Sequence, residues 1–198
     1  MNKNKFLLIS LSFILSLLLA GCNQKNNNAS MQHEDIFIGA KTDSYQTIDQ
    51  LENASDLIVI GTKTKELESN VIYDENEGYQ IAYTYSSFKI DETIKNNVNE
   101  SNNEIKIFEN QAYDKKTNKT FHVAGYTNMI EGNKYILYLS LSDDNYYIPL
   151  AVTFGKVPLN KSEINSDKIK MENSDETSLE IVDKLHQEIQ NKYKDKIV

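Results

Sequence analysis

The chain has 198 residues, 39% hydrophobic and 25% charged, with 29 acidic side chains against 21 basic ones, all of them lysine, and a single cysteine. That length holds one domain with appendages. A net charge of −8 with no guanidinium group argues against a nucleic-acid partner, which calls for a clustered positive field and favours arginine. One cysteine excludes a disulfide framework and a four-ligand zinc knuckle.

Asn2 to Lys5 form a short basic stretch, and Phe6 to Ala20 an apolar run broken only by Ser10, Ser12 and Ser16. This is the layout of an export signal, too short for a spanning helix of about 20 apolar residues. Leu18-Leu19-Ala20-Gly21-Cys22 closes it and resembles the lipobox of bacterial lipoproteins. The resemblance implies cleavage before Cys22 and a diacylglyceryl thioether on its sulfur, which gives a stable anchor at roughly 0.8 kcal/mol per buried CH2. Losing residues 1–21, with two lysines and no acid, takes the net charge from −8 to −10, so anionic lipid repels the mature surface and the anchor is expected to be covalent. The lysine-for-arginine bias and many asparagines suggest an AT-rich, low-GC Gram-positive source.

Residues 22–33, with Asn26-Asn27-Asn28, are too polar to fold and read as a tether. Residues 44–54 place Ile48 and Leu51 on one side of a short helix that Ser44 or Thr47 can cap. Asp56 to Thr64, apolar on both faces, reads as a central strand with a bulge or tight bend at Gly61. The acid-rich 66–78 stretch reads as an exposed hairpin connection. From Tyr79 the chain alternates, with Tyr79, Ile81, Tyr83 and Tyr85 on one face, and its apolar parity switches after Ser86-Ser87, the mark of a bulge. Residues 104–109 form a third strand and Gln111 to Thr120 a lysine-rich loop. Phe121 to Tyr126 is a short extra strand, followed by a helical turn at 128–131 capped by Thr127 or Asn128.

Lys134 to Leu141 alternates clearly, with Tyr135, Leu137, Leu139 and Leu141 inward. Ser142 to Asn145 turns the chain, and Tyr146 to Phe154 returns with Tyr146, Ile148, Leu150, Val152 and Phe154 on one face. Residues 158–173 read as a linker with a strand at 168–171. In 174–198, Ser174 or Asp175 caps a helix whose Leu179, Val182, Leu185, Ile189 and Tyr193 make a docking stripe with His186 beside it.

The expected fold is mainly β: a five-stranded OB-like Greek-key barrel over 34–157 with a short N-terminal helix and a C-terminal amphipathic helix. Ala54 to Gly61, Tyr79 to Thr93, Glu104 to Glu109 and the Met129-x-x-Gly132-x-x-Tyr135-Ile136 entry together resemble the netrin-like domain of tissue inhibitors of metalloproteinases. Those inhibitors grip the target's zinc with a free N-terminal cysteine held by disulfides. This chain has no disulfide, and its Cys22 is expected in lipid, so the resemblance implies the fold and not the mechanism.

His33, His122 and His186 have no metal-binding spacing, and no nucleophile elbow or phosphate loop occurs. A triad built on His122 finds no distinguished hydroxyl. The acidic turns at 74–77 and 143–145 lack the order of a calcium loop and read as solvated turns. No cofactor is expected. The 12 tyrosines are the informative surplus: Tyr79, Tyr85, Tyr146 and Tyr147 are the candidate ligand-binding residues, whereas Tyr83 and Tyr135 are assigned to the core. The expected role is a non-catalytic, membrane-anchored module facing outward and binding a surface protein or glycan. The alternatives are an inhibitor or immunity-type lipoprotein and an extracytoplasmic enzyme.

Overall fold

In the computed structural model, residues 32–74, 78–160 and 176–196 are described, and everything below concerns the unit His33–Val198. The fold is mainly β with two helices. In chain order the elements are β1 (Glu34–Ile38), α1 (Ile48–Ala54), β2 (Leu57–Asp74), β3 (Gly78–Asn96), β4 (Glu104–Glu109), β5 (Gln111–Asp114), β6 (Lys119–Val123), β7 (Lys134–Leu141), β8 (Tyr147–Pro149), β9 (Lys156–Pro158) and α2 (Glu176–Lys192), with a 3-10 turn at Lys194–Lys196. Among the described residues no helix is long and apolar enough to cross a membrane.

One sheet runs β2-β3-β4-β8-β7-β9, and a further β2–β7 pairing links five of these strands into a ring. The β4–β8 contact is parallel, and the other pairs of the ring are antiparallel. A second, three-stranded sheet has the order β1-β6-β5, with β1 parallel to β6.

The start of β2 is apolar on both faces because it pairs on both edges and is covered on both sides. Leu57 and Val59 join Phe88, Ile105, Ile107, Tyr135, Leu137 and Leu139 in one cluster. Ile58 and Ile60 join Ile136, Tyr138, the α2 stripe of Val182, Leu185 and Ile189, and Tyr193 just past the helix in another. Ala82, Ala112 and Phe121 bury a third, smaller cluster with Ile36 and Ile38 of β1. The expected docking of the C-terminal helix is present, reinforced where the Tyr193 hydroxyl donates to Glu52 Oε1 at 2.6 Å and Gln190 Nε2 to the Pro158 carbonyl at 2.7 Å.

Gly61 sits at a register shift of the β2–β3 ladder. A Cβ there would lie 2.1 Å from the Lys89 carbonyl oxygen, so only glycine lets the two backbones approach this closely. Thr47 caps α1 through a reciprocal capping box with Gln50, so the helix begins at Ile48 and not at Ser44.

Several sequence-based expectations are corrected. Residues 66–74 are strand: their acids and asparagine lie on the exposed continuation of β2, and backbone pairing with β3 carries on past the buried part. The bulge opposite Ser86-Ser87 has its extra residues on β2, at Thr64 and Leu67. Gln111 to Thr120 is a hairpin rather than a loop, because β5 and the start of β6 pair around a tight turn. Residues 128–131 are not helical.

The strand expected over 146–154 stops at Pro149, and Ala151 and Val152, at φ 44 and 61, reverse the chain. Its parity is also inverted, with Tyr147 and Pro149 buried and Ile148 only half so. Ile136 and Tyr138 are as buried as the inward residues of β7, while Leu141 is exposed. β1 and β9, both short, were not expected. The 168–171 strand and the Ser174 or Asp175 cap lie outside the described residues.

Candidate binding face

β4 alternates strictly, with Ile105, Ile107 and Glu109 inward and Glu104, Lys106 and Phe108 outward. On β3, Ala82, Thr84 and Ser86 point inward, which leaves Tyr83 and Tyr85 half-buried on the outer face and Ile81 exposed. Tyr83 is therefore not a core residue as its apolar ring suggested: small Ala82, Thr84 and Ser86 fill the crowded interior. Tyr85 and Phe108 are cross-strand partners, and the β7–β8 turn delivers Tyr146 beside them.

Four rings thus meet outside the closed part of the sheet. Tyr83 stacks on Phe108 at 5.1 Å between centroids, and Phe108 stacks on Tyr146 at 5.6 Å. Tyr85 meets Tyr146 at 5.2 Å and Tyr83 at 5.1 Å in tilted and edge arrangements. Lys106 Nζ stands 4.3 Å over the Tyr85 ring and 5.5 Å from that of Tyr146, in cation–π geometry. Burial, then the phenols of Tyr146 and Tyr83 and the charge of Asp144, push the Tyr85 hydroxyl up to about 12. The group stays neutral and able to donate at physiological pH.

Of the four tyrosines nominated from sequence, two, Tyr85 and Tyr146, come together here. Tyr147 is buried, its hydroxyl donating to Glu100 Oε2 at 2.8 Å, because the turn hands its neighbour to the surface instead. Tyr79 lies in β3 opposite Tyr73, with its side chain outside the described set. Cys22 is also outside the described residues. Phe108 and Lys106 were missed, although reading β4 by strict alternation from Ile105 and Ile107 places both on the outer face.

A second constellation was equally unforeseen. Lys63 Nζ, on β2, donates to Glu109 Oε1 at 2.9 Å and to the Met129 carbonyl at 2.7 Å. Glu109, fully buried, also accepts from the Ser86 hydroxyl, from the Tyr126 hydroxyl at 3.2 Å and from the Met129 amide at 2.5 Å. Four donors saturate the carboxylate. Lys156 Nζ donates to the Thr127 carbonyl at 2.7 Å and lies 4.9 Å from the Tyr126 ring. Together the two lysines and one glutamate pin the irregular segment 124–133 to the sheet, a structural task that leaves no lone pair of Glu109 for chemistry.

His122 makes no triad. Its Nδ1 faces the Tyr126 carbonyl at 2.9 Å, and its Nε2 faces Asp35 Oδ1 at the same distance, so no nitrogen is left for a hydroxyl. His33 Nε2 lies 3.6 Å from that same oxygen, and His186 Nε2 is 3.2 Å from the Phe154 carbonyl. Among the described residues no group of three or more His, Cys, Asp or Glu side chains is arranged to hold a metal ion. In the 142–145 turn, Ser142 Oγ accepts from the Asp144 and Tyr146 amides, which is how the turn presents Tyr146.

No family model matches this sequence, and no curated protein is significantly similar to it.

Proposed function

We propose that this chain is a lipid-anchored binding module that faces outward from the cell membrane and takes up a surface protein or cell-wall ligand on the Tyr83–Tyr85–Phe108–Tyr146 cluster. The ring of five strands closes, in this reading, as a Greek-key barrel of OB type with a netrin-like layout. β3 and β4 are then its second and third strands, and the β7–β8 turn is the loop between its fourth and fifth. Such barrels bind ligands on that strand face and through that loop.

The observation that carries the reading is the place where four aromatic rings and one ammonium gather: the outer face of β3 and β4, with the fourth ring supplied by the β7–β8 turn. None of these four rings belongs to the buried core clusters. Aromatic residues are enriched at interfaces. Saturation of Glu109 and the doubly engaged His122 favour binding over catalysis. The anchor at Cys22 and the export signal ahead of it rest on the lipobox pattern.

The test uses the full chain in detergent micelles, offered purified cell walls and, separately, the secreted and surface proteins of the producing cell. Wild type should retain a ligand, and the Tyr85→Ala/Tyr146→Ala double variant, folded by circular dichroism, should retain at least about tenfold less, as for truncated interface hot spots. Equal retention by the two, or none by wild type, refutes the reading.

A further inference from the structure

We propose that the contact between His122 and Asp35 is a proton-operated clasp that holds β1 onto β6. The argument is one of donors and acceptors. Nδ1 of His122 lies 2.9 Å from a backbone carbonyl, that of Tyr126, which can only accept. Nε2 lies 2.9 Å from the carboxylate oxygen of Asp35, which as an anion can only accept. Both bonds exist together when the imidazole carries two protons. With one proton the ring keeps one bond and turns a lone pair on the other acceptor, inside a site where the side chain is 2% exposed.

Among the described residues, charged and titratable groups approach the ring from three sides. From β1 come Asp35 itself, with His33 Nε2 3.6 Å from the same oxygen, and Glu34, which pairs with Lys119 of β6 at 3.0 Å. From β5, Tyr113 approaches His33 at 5.9 Å between rings and donates its hydroxyl to Asn118. From the following segment, Tyr126 gives its hydroxyl to Glu109 and lies against Lys156. Phe37 stacks on the His122 ring at 5.0 Å and confines it.

β1 is a five-residue strand on one edge of its sheet, and β6 is its only strand partner among the described residues. Beyond that ladder the Ala124 amide donates to the Ile38 carbonyl at 2.8 Å and the Glu34 amide to the Asn118 carbonyl at 3.2 Å, and partly buried Ile36 and Ile38 and these side-chain links add to the hold. Such an element opens at low cost. The two bonds together demand the doubly protonated ring, so β1 is held while the imidazole keeps its second proton and loosens once that proton leaves. Undocking five residues lengthens the chain ahead of the domain by roughly 16 Å at 3.3 Å per residue. That gain in reach rests on the anchor at Cys22. The clasp does not.

The test is amide hydrogen exchange on the full chain in micelles at pH 5.5 and 8, each rate corrected for its chemical pH dependence. Protection of residues 34–38 relative to β7 should fall roughly tenfold at the higher pH, the worth of one lost buried hydrogen bond. His122→Gln should abolish the pH dependence. If that variant does not fold, Asp35→Asn decides, because an amide can donate to a singly protonated ring and should also flatten the response. His33→Gln should leave it intact. A pH-independent ratio in wild type, a response that survives both His122→Gln and Asp35→Asn, or its loss in His33→Gln, overturns the clasp. None of these results depends on whether the aromatic face binds anything.

Discussion

Lys63 and Glu109 are a buried ion pair whose value lies in what breaks when one member goes. Side-chain exposures of 3% and 0% mean that neither charge can be rehydrated without opening the sheet. Lys63→Met leaves the buried Glu109 carboxyl among the Ser86, Tyr126 and Met129 donors with its charge partner removed, and should cost about 3–5 kcal/mol. The double variant Lys63→Met/Glu109→Gln removes the lone charge and should recover much of that loss. Urea unfolding of the three proteins measures both numbers, and a single variant within about 0.5 kcal/mol of wild type would show the pair to be dispensable.

At the scale of elements, α2 is held by a stripe and not by its charges. Leu185 is 2% exposed between β2, β7 and the turn after β8. Leu185→Ala should cost about 2–5 kcal/mol. Lys184→Ala, beside it on the exposed face, should change stability by less than about 0.5 kcal/mol in the same denaturation series.

The aromatic face of β3 and β4 has its own signature in alkali. The Tyr85 phenol is pushed up to about 12 by burial and its neighbours, and those of Tyr45, Tyr73, Tyr138, Tyr147 and Tyr193 are also raised, burial being the largest cause for each. An unfolded chain releases these protons near pH 10. The stabilisation they bring is therefore whole below about pH 10 and is lost as pH climbs toward 12, since the unfolded state then holds fewer protons. Urea midpoints at pH 8, 10 and 11 should fall in that order, with a shallower fall for Tyr85→Phe. A flat profile, or one unchanged by that substitution, contradicts the reading.

For the whole molecule, the decisive physical question is whether one thiol carries lipid. Residues 22–198 carry a net charge of −10, so their overall charge gives no attraction to anionic membranes. Metabolic labelling with a tagged fatty acid should mark the wild-type chain and leave Cys22→Ser unmarked and no longer membrane-bound. A wild type without label, or a labelled Cys22→Ser, removes the anchor and with it the outward-facing placement.

Much of this architecture was written in local pattern. The two-faced apolar run at Leu57 to Ile60, the Thr47–Gln50 cap signal and the three-and-four spacing of Leu179 to Tyr193 each reflect a local demand that near neighbours in the chain express by themselves. Where the chain was misread, the cause was long-range. Residues 66–74 look like a loop by composition, yet pairing with β3 makes them strand. Tyr147 reads as a surface residue until Glu100, 47 positions away, takes its hydroxyl. Phe108 and Tyr146 are 38 residues apart, Lys63 and Glu109 are 46 apart, and Asp35 and His122 are 87 apart, so no periodicity links them. Sequence alone determined the secondary structure that hydrophobic spacing controls. Only the tertiary fold decided which polar and aromatic groups meet, because strand pairing and register, and not spacing along the chain, set those contacts.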